Sequence, residues 1–386
     1  MRRALVIALF AGSAAAVGCS LFVDLGELQD GGGVVTTNDA ATSDVVVIGD
    51  GGGPAPDGSA CGSTLVDDAR NCGACGHDCL GGTCADRVCQ PYLFSRFDGD
   101  IADLVCDDRA AYWLLVETTQ PGVHRRAFAD VGSGVALFDV PNDSSEIAVD
   151  GTRIYVSEGT ADGGVVAVAD KTTPGPTTTL ASYGGSHLGN LLALGDDRIF
   201  LGQFPGANDG LIGVFAKDGG AYLSTYATGG NFMVQLGQSN GTLFAVVSSG
   251  VPETIRSLPA AGGSFTDLTG SEGVSEATSL GLDDAGLAWV TYAGHVGYLD
   301  RVNGGAVREL FVDGGPVTSV GLGSDRIYAT VDPDAGDDAG TVVTMGRDGA
   351  GPTVVATGQA HPRMLRACGP ANVWVTGTDS IMAQAR

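Results

Sequence analysis

Cations are scarce in this chain. Two Lys and eighteen Arg stand against 45 acidic residues, and the net charge is −25. Binding to a phosphate backbone needs a basic face, so nucleic acid is excluded as a partner. The same charge keeps the chain soluble and discourages adhesion to anionic lipid. Aromatic residues make up 6% of the sequence, and no helical periodicity runs through it. Glycine is abundant, at 62 residues, beside 44% apolar residues. That balance suits many short strands joined by tight turns.

The few aromatics recur at a fixed interval. Trp113, Tyr155, Phe200, Phe244, Trp289, Tyr328 and Trp374 are spaced by 42, 45, 44, 45, 39 and 46 residues. Before each comes a short apolar run and then a turn rich in Asp, Gly and Asn, as in Ile147-Ala148-Val149-Asp150-Gly151-Thr152-Arg153-Ile154-Tyr155. After each comes a Gly-rich turn and two more strands. In repeat 2 these are predicted at 165–169 and 177–181, and in repeat 5 at 295–300 and 306–312. A period of this length with no helix predicts an all-β fold: a seven-bladed β-propeller of four-stranded blades. The seventh repeat stops one strand short, while Pro91-Tyr92-Leu93-Phe94-Ser95 is an orphan strand ahead of the first. The orphan is expected to complete blade seven, removing the edge that an open ring exposes.

Residues 91–386 thus form the ring, and three segments precede it. Met1-Arg2-Arg3 and the apolar stretch 4–18 read as an export signal, too short to span a bilayer. The signal ends in Ala16-Val17-Gly18-Cys19, which resembles the lipobox of bacterial lipoproteins. The resemblance implies a lipidated Cys19, and Ser20 after it implies an outer-membrane address in a Gram-negative bacterium. Acyl chains in combination would anchor the protein stably. Residues 19–60 are rich in Gly, Asp, Val, Thr and Pro and read as a tether. About 40 such residues reach roughly 35 Å.

Residues 61–90 hold Cys61, Cys72, Cys75, Cys79, Cys84 and Cys89. Behind an export signal this density indicates a disulfide-stapled module whose pairing the sequence leaves open. Cys72 and Cys75 also have zinc-ligand spacing with His77 nearby, but no second pair matches them. Asn71-Cys72-Gly73-Ala74-Cys75-Gly76-His77-Asp78-Cys79 resembles a Cys-rich segment of exported proteins from high-GC Gram-negative bacteria, a segment that implies no activity. Cys106 and Cys368 fall at equivalent places in repeats 1 and 7, which become neighbours on closure, so a disulfide between them is expected.

Catalytic signatures fail on context. Gly237-Gln238-Ser239-Asn240-Gly241 matches G-x-S-x-G, but lies in a hairpin turn rather than a strand-turn-helix elbow. The acidic run 332–338 lacks the ligand order of an EF-hand. Asp284-Ala285-Gly286-Leu287-Ala288-Trp289 resembles part of the sialidase Asp-box but occurs once. The Trp-Asp and Gly-His marks of WD40 blades do not recur from blade to blade. Counting thirteen residues back from each aromatic reaches Asp100, Asn142, His187, Asn231, Glu276, Gly315 and His361. These positions belong to loops that feed the innermost strands and ring one mouth of the channel. Their polar members could bind a divalent cation or a polar ligand; polarity is also ordinary for loops. No other cofactor is indicated.

The sequence therefore predicts a monomeric, membrane-anchored binding module for a protein or polysaccharide. A propeller enzyme of lyase, lactonase or glycosidase type and an outer-membrane assembly scaffold are the alternatives.

Overall fold

The computed structural model describes residues 65–386 except 131, 133, 161–162, 185–190, 204–209, 229–231, 249–252, 270–273, 275–279, 292, 303–305, 311, 313 and 334–338. Seven four-stranded antiparallel sheets stand as blades round a central channel. Blade 1 is typical: Asp100–Cys106, Ala110–Val116, Gly122–Ala127 and Val135–Asp139 run in order from the channel outward. The first strands of blades 2 to 7 are Ser144–Val149, Leu192–Leu194, Phe232–Ser239, Gly281–Leu282, Val317–Leu322 and Arg363–Ala367. The outer strands of repeat 2 run Gly163–Asp170 and Thr178–Gly184, longer than expected. Those of repeat 5, Val296–Asp300 and Arg308–Leu310, are shorter.

All seven marker aromatics lie on second strands and are buried, from 0% exposure for Tyr155, Phe200 and Trp374 to 8% for Tyr328. Each drives apolar area into the space between adjacent blades, which is why a lone blade could not hold its shape. Blade 5 shows the fit. Gly297 faces Trp289 across the sheet, and a β-carbon at Gly297 would overlap the indole.

Tyr92–Arg96 is the outermost strand of blade 7, paired antiparallel with Ser380–Ala385. Phe94 anchors it, packing against Phe128 with Arg126 stacked over its ring at 4.4 Å. The Cys-rich module leads straight into that strand. Disulfides join Cys72 to Cys84 and Cys79 to Cys89, and Cys75 is also disulfide-bonded. Cys61 lies outside the described residues, as do Cys19 and the tether. The module rests on blade 7: Gln384 Nε2 donates to Cys89 O at 2.9 Å, and Ala385 joins the cysteine cluster.

Candidate functional site

Each innermost strand runs from an upper loop to a lower turn, so the channel has two mouths. Asp100 opens the first strand of blade 1, and Asn142 lies just ahead of blade 2; both are exposed. His361 precedes the first strand of blade 7, and its Nδ1 lies 2.8 Å from Asp332 Oδ2 of blade 6. Gly315, at a φ of 134°, turns the chain into blade 6. His187, Asn231 and Glu276 lie outside the described residues. The counting thus places Asp100, Asn142 and His361 at the upper mouth, in neighbouring blades. Among the described residues no hydrogen bond or ion pair joins these three to one another.

The channel wall below carries polar groups that a count of thirteen passes over. In blades 1, 2, 4, 6 and 7 the innermost strand is interrupted by a bulge. The residue after each bulge is polar: Asp103, Glu146, Gln235, Ser319 or Arg366, none more than 2% exposed. A bulge re-aims a side chain, and here it turns the side chain toward the next blade. Asp103 Oδ2 accepts the Ile147 amide of blade 2 at 3.0 Å. Glu146 Oε2 accepts the Leu192 amide of blade 3. Ser319 Oγ accepts the Leu365 amide of blade 7 at 3.0 Å. Arg366 Nη2 lies 3.5 Å from Asp103 Oδ1, which carries the ring back to blade 1. Burial, and then the charge of Asp103, push the Glu146 carboxyl well above the usual carboxylate range. The sequence signal is a charge inside an apolar run, as in Ile101-Ala102-Asp103-Leu104-Val105.

A second set of links lies at the lower mouth. A cation follows the third strand of blades 2, 3, 5, 6 and 7: Lys171, Lys217, Arg301, Arg347 and Arg386. Each donates to a carbonyl of its own blade's first turn, those of Asp150, Gly195, Asp283, Gly323 and Gly369. Three also reach a carboxylate of the preceding blade. Lys171 Nζ lies 2.9 Å from Asp107, Lys217 Nζ lies 3.0 Å from Asp150, and Arg347 pairs with Asp283. Both lysines of the entire sequence serve here. Asp107 Oδ1 caps its own turn by accepting the Arg109 and Ala110 amides, and Asp107 Oδ2 accepts the Tyr112 hydroxyl. Burial alone would raise the Asp107 carboxyl, but the Lys171 bond and the turn amides outweigh it and hold it low.

That sign gives a prediction. A depressed carboxylate stabilises the fold above its unfolded pKa and loses that contribution as pH falls through the folded value. Lys171→Met is expected to cost about 3 kcal/mol at neutral pH, the usual loss when a buried pair is broken. The cost should shrink below about pH 4, where the unfolded carboxyl takes up its proton. Urea unfolding at both pH values measures it; an equal loss at each would refute the linkage.

Within the lower mouth lies a cavity of about 450 Å³. Val149, Leu194, Leu282 and Leu322 form an apolar floor. Asp196, Asn240, Asp284 and Ser324 stand on the rim. Volume and lining suit a small polar group with an apolar face. Ser239 of the G-x-S-x-G stretch also lines the cavity, as the last residue of strand Phe232–Ser239 with only Asn240 and Gly241 of that stretch in the hairpin turn, and its Oγ lies 3.3 Å from Asp284 Oδ1. No histidine is among the lining residues. None of the residues counted for the upper mouth lines this cavity.

No family model and no curated protein matches the sequence. Solved structures match the fold. The WD40 β-propeller domain of Doa1 is 12% identical with a TM-score of 0.56, over 77% of this chain and 97% of that one. The WD40 repeats of RRP9 give 12%, 0.57, 77% and 97%. The computationally designed Ika8 protein gives 16%, 0.54, 74% and 83%. At such identities the likeness is one of architecture. Ring closure here uses neither the Trp-Asp nor the Gly-His residues that mark WD40 blades.

Proposed function

We propose that this chain is an outer-membrane lipoprotein whose propeller is a non-catalytic binding module for a protein or polysaccharide. One observation carries the binding reading. Four charged pairs of the channel, Lys171–Asp107, Lys217–Asp150, Arg347–Asp283 and Arg366–Asp103, are committed to links between blades, while an apolar-floored, polar-rimmed cavity stays open at the lower mouth. A rigid ring with an accessible recess suits recognition. Resemblance to WD40 and other propeller domains is consistent with a binding or scaffold role. The export signal, the Cys19 motif and the disulfides support an envelope address.

Two measurements test the proposal. Cys19→Ala is expected to move the protein from the membrane fraction to the soluble envelope fraction and to abolish acyl mass on the N-terminal peptide. Continued membrane association without acylation would remove the lipoprotein reading. For binding, in-cell crosslinking should trap envelope polysaccharide or protein on the wild type. Ser324→Trp, which fills the rim without touching the links, should lose the adduct. Adducts unchanged in that variant would place binding elsewhere on the ring and favour a scaffold.

A further inference from the structure

The lower mouth repeats one arrangement from blade to blade, and the repeat breaks on the wall of the recess. In blades 1, 2 and 5 the turn after the innermost strand opens with Asp107, Asp150 or Asp283, whose amide donates to the carbonyl three positions on. In each case the cation after the third strand of the next blade takes the carboxylate. Blade 6 opens the same turn with Gly323, yet blade 7 still brings its cation, Arg386, to it. A β-carbon at Gly323 would overlap Arg386 Nη1, so the guanidinium lies over the glycine. Gly195 and Cys368 open the turns of blades 3 and 7, but there the next blades carry Ala260 and Phe128 in place of a cation. Arg301 faces the short hairpin of blade 4, where it stacks on Phe244 at 4.8 Å and donates to Asp283 O and Ser239 O.

Arg386 is thus a cation that the repeat brings to a missing carboxylate. Its Nη2 donates to Gly369 O, the Tyr328 hydroxyl lies beside it, and Asp325 acts on it only at longer range. Burial leaves its pKa lowered, whereas the charge of Asp283 outweighs burial at Arg347 and raises that one. Gly323 and Arg386 both line the cavity. Elsewhere on the rim, Asp196 of blade 3 and Asp284 of blade 5 are exposed acceptors, and Val149, Leu194, Leu282 and Leu322 form the floor.

A matching ligand brings a carboxylate for the guanidinium fork, hydroxyl donors for the rim carboxylates and an apolar face for the floor. A simple ammonium ion or a neutral sugar leaves Arg386 unmatched. A fatty acid brings no donor to Asp196 or Asp284. A uronic acid has all three features, because its ring carries a carboxylate, several hydroxyls and a C–H face. We propose that the recess recognises an acidic polysaccharide through one uronic acid residue, with the sugar carboxylate on Arg386 and its hydroxyls donating to Asp196 and Asp284. This rests on the recess being the binding site, as proposed above, and narrows its ligand. The net charge of −25 does not forbid it, since charges beyond about 8 Å are largely screened at physiological salt.

The test is calorimetric titration of the full chain at physiological salt with trigalacturonate and with its methyl ester, which keeps the rings and hydroxyls but loses the charge. The acid is expected to bind at least about 10-fold tighter, as suits hydrogen bonds to a charged group. Arg386→Gln should erase that preference. Gly323→Asp, which supplies the carboxylate that blades 1, 2 and 5 carry, should hold the guanidinium and abolish binding of the acid without lowering the unfolding midpoint. Equal affinity for acid and ester, or a preference that survives Arg386→Gln, would overturn the site. A preference for a peptide with a free C-terminal carboxylate over its amide, with none for the sugar acid, would overturn the ligand class. Should Ser324→Trp lose the in-cell adduct while the acid shows no preference, the recess stands as the binding site and the uronic acid reading alone falls.

Discussion

Replacing Cys106 and Cys368 by alanine is expected to lower the unfolding midpoint of the full chain by about 10 °C. The bond between them spans 262 positions, with a Cα–Cα distance of 5.7 Å. It joins the end of blade 1's innermost strand to the lower turn of blade 7, the two blades that must meet when the ring closes. Both cysteines are buried, at 0% and 1%, in a cluster with Phe94, Leu104, Met364 and Val373. Chain-entropy treatment of so long a loop gives about 5.6 kcal/mol, and measured gains often fall below it. About 4 kcal/mol over a domain of this size converts to the stated shift. Ring closure does not rest on the disulfide alone, because Tyr92–Arg96 also crosses the seam to pair with Ser380–Ala385. The variant should therefore fold and melt early rather than fail to fold. Scanning calorimetry of the single and double alanine variants measures the shift. A loss under about 2 °C would show that strand exchange dominates closure.

The ring was legible because its signal is periodic. Seven aromatics on second strands must all enter the space between blades, so they return at the blade's own length. The orphan strand 92–96 was legible for the same reason: blade 7 lacked one member. Strand ends were less so, because pairing fixes them. Arg308–Leu310 stops where its partner Val296–Asp300 stops supporting it, although the sequence stays strand-like to 312. The links between blades were not visible. Lys171 and Asp107 are 64 residues apart, and nothing local distinguishes a cation that folds inward from one that faces water. Asp103, Glu146 and Arg366 had a local mark, a charge within an apolar run, but the count of thirteen emphasised the loop above them. The lower cavity was hidden because turn residues such as Asn240 and Ser324 serve the hairpin first and line the recess only when the blades meet.

Arg366→Met is expected to destabilise the fold by about 3 to 5 kcal/mol. The guanidinium is 1% exposed, and its Nη1 donates to Leu365 O at 3.0 Å while Nη2 faces Asp103. Methionine fills much of the volume, so the loss is electrostatic. It leaves Asp103, at 0% exposure, beside Glu146 without the charge that Arg366 supplies between blades 7 and 1. Asp103→Asn in that background should restore a good part of the loss. An asparagine side-chain oxygen can still accept the Ile147 or Leu104 amide that Asp103 now holds at 3.0 and 2.8 Å. The coupling energy should fall near about 1 to 3 kcal/mol. The pH dependence carries the opposite sign from that at Asp107. Losing Arg366 raises the folded-state affinity of the buried carboxyls for protons. The folded chain then binds more protons than the unfolded one above the ordinary carboxylate range, and stability falls as pH rises. Arg366→Met should therefore lose stability steeply from about pH 4 to 8, and the double variant much less. Urea unfolding across that range gives both quantities. A flat profile in Arg366→Met, or no recovery with Asp103→Asn, would show that the guanidinium acts through packing rather than as the counter-charge of the channel.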